Sequence, residues 1–146
     1  MFKKIVVAML LIASSLMAAE VHWAKDYKAG LAVAQKEHKP VLFIISSDEC
    51  KYCLLLDRTT LRDAKVVDEL NKNFVTIRSW TTRGDYIPME IAQNTPGLPG
   101  IWFLYPDGTP MYQPVLGYMQ APNFFGALKT VEGTFKKHEA AVKKGK

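Results

Sequence analysis

Hydrophobic positions along this chain switch between helical and strand spacing, and the switch points divide it into elements. Trp23, Tyr27, Leu31 and Ala34 recur at helical spacing, with Lys25, Lys28, Lys36 and Glu37 elsewhere on the wheel. An amphipathic helix is expected there, ending before Pro40. Pro40-Val41-Leu42-Phe43-Ile44-Ile45 is an unbroken apolar run, the pattern of a strand buried on both faces. A helical pattern opens at Cys50, runs through Leu54-Leu55-Leu56 and falters at Thr59-Thr60. Asp63 then reads as the N-cap of a further helix whose apolar side is Val66, Val67, Leu70 and Phe74. Val75-Thr76-Ile77-Arg78 alternates as a second strand. Strand, helix and strand within about forty residues imply a right-handed crossover and parallel pairing.

Beyond a polar loop at Thr81 to Asp85, Met89 to Gln93 makes one or two helical turns started by Pro88. Thr95-Pro96-Gly97-Leu98-Pro99-Gly100 is too rich in proline and glycine for regular structure. Ile101 to Tyr105 reads as a strand, Pro106-Asp107-Gly108 as a turn, and Met111-Tyr112-Gln113 as the partner strand of an antiparallel hairpin. Phe124, Leu128, Val131 and Phe135 fall at i, i+4, i+7 and i+11 and define a last helix. With no internal repeat and no low-complexity linker, this is an α/β chain with one domain.

Composition adds an address only through the N-terminus; the 146 residues, 49% of them hydrophobic, otherwise suffice for a single core. Lys3 and Lys4 precede an apolar stretch from Ile5 to Ile12, and small residues follow through Ala18 and Ala19. This is the layout of a secretory signal over residues 1–19, leaving a domain over 20–146, with cleavage after Ala18 or Ala19. An uncleaved anchor is the alternative, but a span of about twenty apolar residues is reached only by including Ser14 and Ser15. The short basic signal has a bacterial look, which implies the periplasm. Without Lys3 and Lys4 the formal charge drops from +5 to +3 (5 − 2), and the excess sits in Lys136, Lys137, Lys143, Lys144 and Lys146. No basic-aromatic stripe suggests nucleic acid.

The chemistry is concentrated in Ser46-Ser47-Asp48-Glu49-Cys50-Lys51-Tyr52-Cys53, which holds both cysteines of the chain. If Cys50 opens a helix, its sulfur faces free backbone N–H groups and the positive end of the helix dipole, which favour thiolate. Lys51 acts in the same sense; Asp48 and Glu49 act against it. Cys53, one turn later on the same face, is placed to close a disulfide. One reactive sulfur and one that can capture it make a dithiol–disulfide exchanger. A purely structural disulfide would close too short a loop to contribute much. Zinc would need about four ligands, and His22, His38 and His138 are unclustered; no metal is expected there. A Cu(I)-thiolate carrier stays open as an alternative, because soft sulfur suits that ion. In an oxidising compartment a lone close pair points to chemistry rather than stapling.

From Trp23 to Phe135 the chain resembles the thioredoxin-like family, in particular the exported bacterial thiol:disulfide interchange proteins, including the C-terminal domain of the membrane electron transporter of that system. The resemblance is carried by Lys39-Pro40-Val41-Leu42, Cys50-Lys51-Tyr52-Cys53, Gly97-Leu98-Pro99 and Phe103-Leu104-Tyr105-Pro106-Asp107-Gly108. It implies a thioredoxin fold, a central mixed β-sheet flanked by helices. It implies that Pro99 is a cis-proline opposite the cysteines and that Leu98 offers its backbone to an extended substrate, with Lys51 and Tyr52 beside it. It implies no cofactor beyond a redox-active Cys50–Cys53 disulfide. The partners implied are disulfide-containing exported proteins and a membrane thiol electron donor, met by a monomer. Thioredoxins proper have tryptophan at the position of Glu49 and a proton-accepting aspartate at that of Ile44, so the resemblance supplies no acid for Cys53. Only about twenty residues lie between Ser79 and Pro99, too few for the helical insertion of the periplasmic oxidants, and there is no room for an isomerase's N-terminal dimerisation domain. That leaves a reductase or electron relay, while Tyr52, a residue isomerases often carry there, keeps an isomerase-like protein open.

Overall fold

The computed structural model describes residues 19–146, so the signal expected over residues 1–19 lies, but for Ala19, outside the described residues. The elements in chain order are α1 (Tyr27–Glu37), β1 (Val41–Ser46), α2 (Lys51–Arg58), α3 (Ala64–Asn73), β2 (Val75–Trp80), α4 (Met89–Gln93), β3 (Gly100–Leu104), β4 (Val115–Leu116) and α5 (Ala121–Lys144). The sheet order is β2-β1-β3-β4, with β1 parallel to β2 and antiparallel to β3. This mixed sheet flanked by helices is the thioredoxin-like α/β architecture.

Every residue of β1 is buried, because helices cover both faces of the sheet. Leu42 and Ile44 point to one side, into a core shared with Leu56, Val66, Val67, Leu70, Phe124 and Leu128 of α2, α3 and α5. Val41, Phe43 and Ile45 point to the other and meet Ala34 of α1, Ile77, Ile91 and Trp102. The alternation of side chains along a strand thus explains an uninterrupted apolar run. Gly30 lets α1 lie close on the second face, since a Cβ there would run into the Ile77 side chain.

Asp63 caps α3 as its position suggests, accepting from the N–H groups of Lys65 and Val66 at 3.0 and 3.1 Å. Two expectations fail. The first helix does not include Trp23: it starts at Tyr27, where the Asp26 carboxylate accepts from Ala29 N–H at 2.8 Å. Trp23 instead forms a parallel bridge with Thr76 on the outer edge of β2, and Ala24 N–H donates to Thr76 O at 2.8 Å. Met111-Tyr112-Gln113 is not a strand either. The turn at Tyr105–Thr109 closes as expected, with Gly108 N–H on Tyr105 O at 2.9 Å, and Met111 N–H reaches Phe103 O at 2.8 Å. Pro110 and Pro114 have no N–H to extend that ladder, and the partner strand becomes Val115–Leu116, paired with Ile101 and Gly100. Among the described residues no helix is long and apolar enough to cross a membrane.

Candidate active site

β1 ends at Ser46, and the chain turns through Ser47–Glu49 before α2 begins. Cys50 is the N-cap of α2, with extended backbone angles (φ −97°, ψ 111°), and its sulfur accepts from Cys53 N–H at 3.3 Å. A serine-like capping role is thus taken by a thiol: one first-turn N–H, that of Cys53, points at its sulfur, and the helix dipole acts in the same sense. Cys50 is half-buried, whereas Cys53 is only 1% exposed. Both are free thiols.

Burial pushes the Cys53 thiol up to about 11, helped by its hydrogen bond to the Cys50 sulfur; the Ser46 hydroxyl and the Ser47 backbone work in the opposite direction. At neutral pH, Cys53 therefore holds its proton against its neighbour's sulfur.

The register Ile45↔Gly100 between β1 and β3 brings the segment before β3 to the sheet end from which Cys50 is reached. Leu98 and Pro99 occupy that segment. Their peptide bond is cis, Pro99 is buried, and its carbonyl accepts from Gly117 N–H at 2.9 Å. Leu98 is half-buried against the core of the second face. Lys51 and Tyr52 are exposed on the first turn of α2, Tyr52 to 54%. The six candidate residues are thus divided between the α2 N-terminus and the β3 entry loop, at one end of the sheet.

Ile44 is 1% exposed among apolar side chains, so no acid stands at that position. Its register partner Arg78 is ion-paired with Asp57 of α2. Asp57 lies four residues after Cys53 and shares its helix face, a spacing visible in the sequence. Three further neighbours of the site carried no sequence signal as such. They are Ser46 beneath Cys53, Arg83, which pairs with Asp48, and Trp80, 7% exposed under two guanidinium groups. Contrary to the expectation from sequence, Asp48 does not press a free negative charge on Cys50, because Arg83 pairs with it. Its hydrogen bonds to Arg83 hold its carboxyl below the usual range. Among the described residues no three histidine, cysteine, aspartate or glutamate side chains converge as a metal site.

Residues 22–106 match the family model described as thioredoxin-like. That is more than half of the chain, and the chain belongs to this family. Mouse anterior gradient protein 3 is 23% identical over 77 residues, 47% of each protein, so the chain spans about half the length of this curated relative. Among solved structures, a thioredoxin from Thermus thermophilus aligns with a TM-score of 0.64 and 26% identity, over 77% of this chain and 87% of that one. The C-terminal domain of Neisseria meningitidis DsbD in its oxidised form aligns at 0.54 and 27%, over 70% and 90%. DsbH oxidoreductase shares the fold at 0.63 and 17%, over 84% and 92%.

Proposed function

We propose that this member of the thioredoxin-like family is a thiol:disulfide oxidoreductase that reduces, or relays electrons to, disulfides of exported proteins in the bacterial periplasm. The observation that carries the reading is the unequal placement of the two sulfurs. Cys50 is half-buried at the α2 N-cap, and Cys53 is buried one turn inside, in hydrogen-bond contact with it. The similarity to the DsbD C-terminal domain supports the same chemistry.

In the proposed cycle the Cys50 thiolate attacks one sulfur of a substrate disulfide. The substrate S–S bond breaks, its second sulfur leaves as a thiolate and takes up a proton, and Cys50 is left in a mixed disulfide. Cys53 then gives up its proton and attacks Cys50 Sγ, releasing the first substrate thiolate and forming the Cys50–Cys53 disulfide. Two electrons pass from dithiol to substrate, and a second dithiol, in this reading a membrane thiol donor, returns them. Helix dipole and capping N–H favour attack by Cys50; burial favours Cys53 only as an intramolecular capturer. Leu98 and Pro99, at the same sheet end, form the wall against which an extended substrate lies, with Lys51 and Tyr52 on the facing helix turn.

Two measurements decide the matter: the equilibrium with glutathione and the turnover of a protein disulfide such as that of insulin. A poise between strongly reducing thioredoxins and strongly oxidising periplasmic proteins, together with turnover, is expected. Tight Cu(I) binding by the dithiol form with no disulfide exchange would overturn the reading.

A further inference from the structure

The loop that delivers Cys50 to α2 is gripped from the side by the turn that follows β2. Asp48 N–H donates to Thr82 Oγ1 at 3.3 Å, and the Thr82 hydroxyl donates back to Asp48 Oδ2 at 3.1 Å. Arg83 holds both carboxylate oxygens, Nε on Oδ2 at 2.9 Å and Nη2 on Oδ1 at 2.8 Å. Thr81 Oγ1 donates to Ser46 O at 3.3 Å. The Arg83 guanidinium also lies 4.1 Å from the centroid of Trp80, whose ring carries Arg78 at 4.7 Å. Arg78 continues to Trp23 at 4.2 Å and to Asp57 of α2. A chain of planar cations and indoles therefore joins the edge of the sheet to the residue two before Cys50.

We propose that Arg83 is a positioning residue of the dithiol site: stacked on Trp80 and paired bidentately with Asp48, it holds the Ser46–Glu49 loop and cancels the carboxylate charge beside Cys50. This rests on the oxidoreductase reading for its purpose, not for its test. A fork that uses two nitrogens on one carboxylate while its flat face stacks on an indole is geometry that lysine cannot reproduce. The pair is exposed, 54% and 44% for the two side chains, so its worth lies in charge placement more than in stability. The other charges in reach are Glu49 and Lys51 beside Cys50 in the chain, with Asp85, Arg78 and Asp57 around the pair. None of them meets Asp48 in an ion pair among the described residues.

The test is the pH dependence of alkylation of the fully reduced chain by iodoacetamide, following the first adduct by mass spectrometry and mapping it to Cys50. Arg83→Ala should move the midpoint up by roughly half a unit and slow alkylation at neutral pH about threefold. Asp48→Asn should move it down by a similar amount, because the Arg83 cation then has no counter-charge. The double variant should return close to the parent, and Arg83→Lys should fall between. A merely structural brace would be broken equally by both single changes and would move the midpoint in one direction. Parallel shifts, or profiles that superimpose on the parent, would overturn the proposal. Because alkylation needs no disulfide substrate, shifts of opposite sign in a protein that exchanges no disulfides would refute the oxidoreductase reading and leave this one standing.

Discussion

Two places in this molecule press a pair of like ionisable groups together, and they do it to opposite ends. At the start of α2 the pair is Cys50 and Cys53; between α3 and α5 it is Glu69 and Glu132. In each pair burial, with help from the neighbour, pushes one member up. Cys53 is held up to about 11. Glu69 is also raised, by burial first and by its hydrogen bond to Glu132, while that bond and Lys136 bring Glu132 down to about 2. What differs is the surroundings. The carboxylates are closed in: Lys129 Nζ meets Glu132 Oε2 at 3.0 Å, Lys136 Nζ meets Oε1 at 2.7 Å, and Asn73 Nδ2 donates to Glu69 Oε1 at 3.0 Å. The thiols have one half-buried member, and the groups that ease ionisation of the other are the Ser46 hydroxyl and the Ser47 backbone rather than a cation. A split pair with all its partners supplied joins two helices; a split pair with one face left open is equipped to react.

The sharpest way to break this comparison is to remove one member of the reactive pair. Cys50→Ser should abolish disulfide exchange, whereas Cys53→Ser should keep an attacking thiol and accumulate mixed disulfides, visible as mass adducts under non-reducing conditions. Equal trapping by both variants would cancel the assignment of attacker and resolver. On the structural side, Glu132→Gln should cost about 2 kcal/mol at pH 7 in thermal or urea unfolding. The sign follows from a folded-state value of about 2 against 4.5 for the free group. The stabilisation is complete above the free value and is lost as pH falls from 4.5 towards 2. Variant and parent should therefore converge at about pH 2.

Smaller effects sharpen it further. Ser46→Ala removes the hydroxyl that eases Cys53 ionisation, and should slow resolution of the mixed disulfide about three- to tenfold at neutral pH. Raising the pH should recover the rate. An unchanged resolution rate would mean that this hydroxyl does not serve the second sulfur. The smallest change expected is a gain. Glu69 ionises less readily folded than unfolded, so the parent loses stability as pH rises from the free value through the raised one. Glu69→Gln keeps an N–H for Glu132 without the buried charge and should be more stable by about 0.5–1 kcal/mol at pH 7, with no advantage below about pH 4. A loss at pH 7 would show that Lys129 needs both carboxylates.

Much of the scaffold was legible because it is written in near neighbours. The apolar run after Pro40, the Asp63 cap and the i, i+4, i+7, i+11 face of α5 each express a local period or cap, and each appears in the fold. The cysteine pair was legible for the same reason: three residues on a helix put two side chains on one face. Trp23 misled because helical spacing continued across it, while Asp26 had the stronger claim to begin the helix. Met111–Gln113 misled because alternation does not register the two flanking prolines that end a ladder.

What the chain determined alone is thus its alternating elements, its central strand and the position of a dithiol at a helix start. Tertiary structure alone decided what surrounds that dithiol. Asp48 meets Arg83 across 35 residues and Arg78 meets Asp57 across 21; Glu69 meets Glu132 across 63 (132 − 69). A charge read locally beside Cys50 counted as free; in the fold it is neutralised. Period and capping act over one or two helical turns, so residues near in sequence carry them. The field and solvent exposure at a sulfur depend on everything within several ångströms, and in a folded sheet most of that comes from distant parts of the chain.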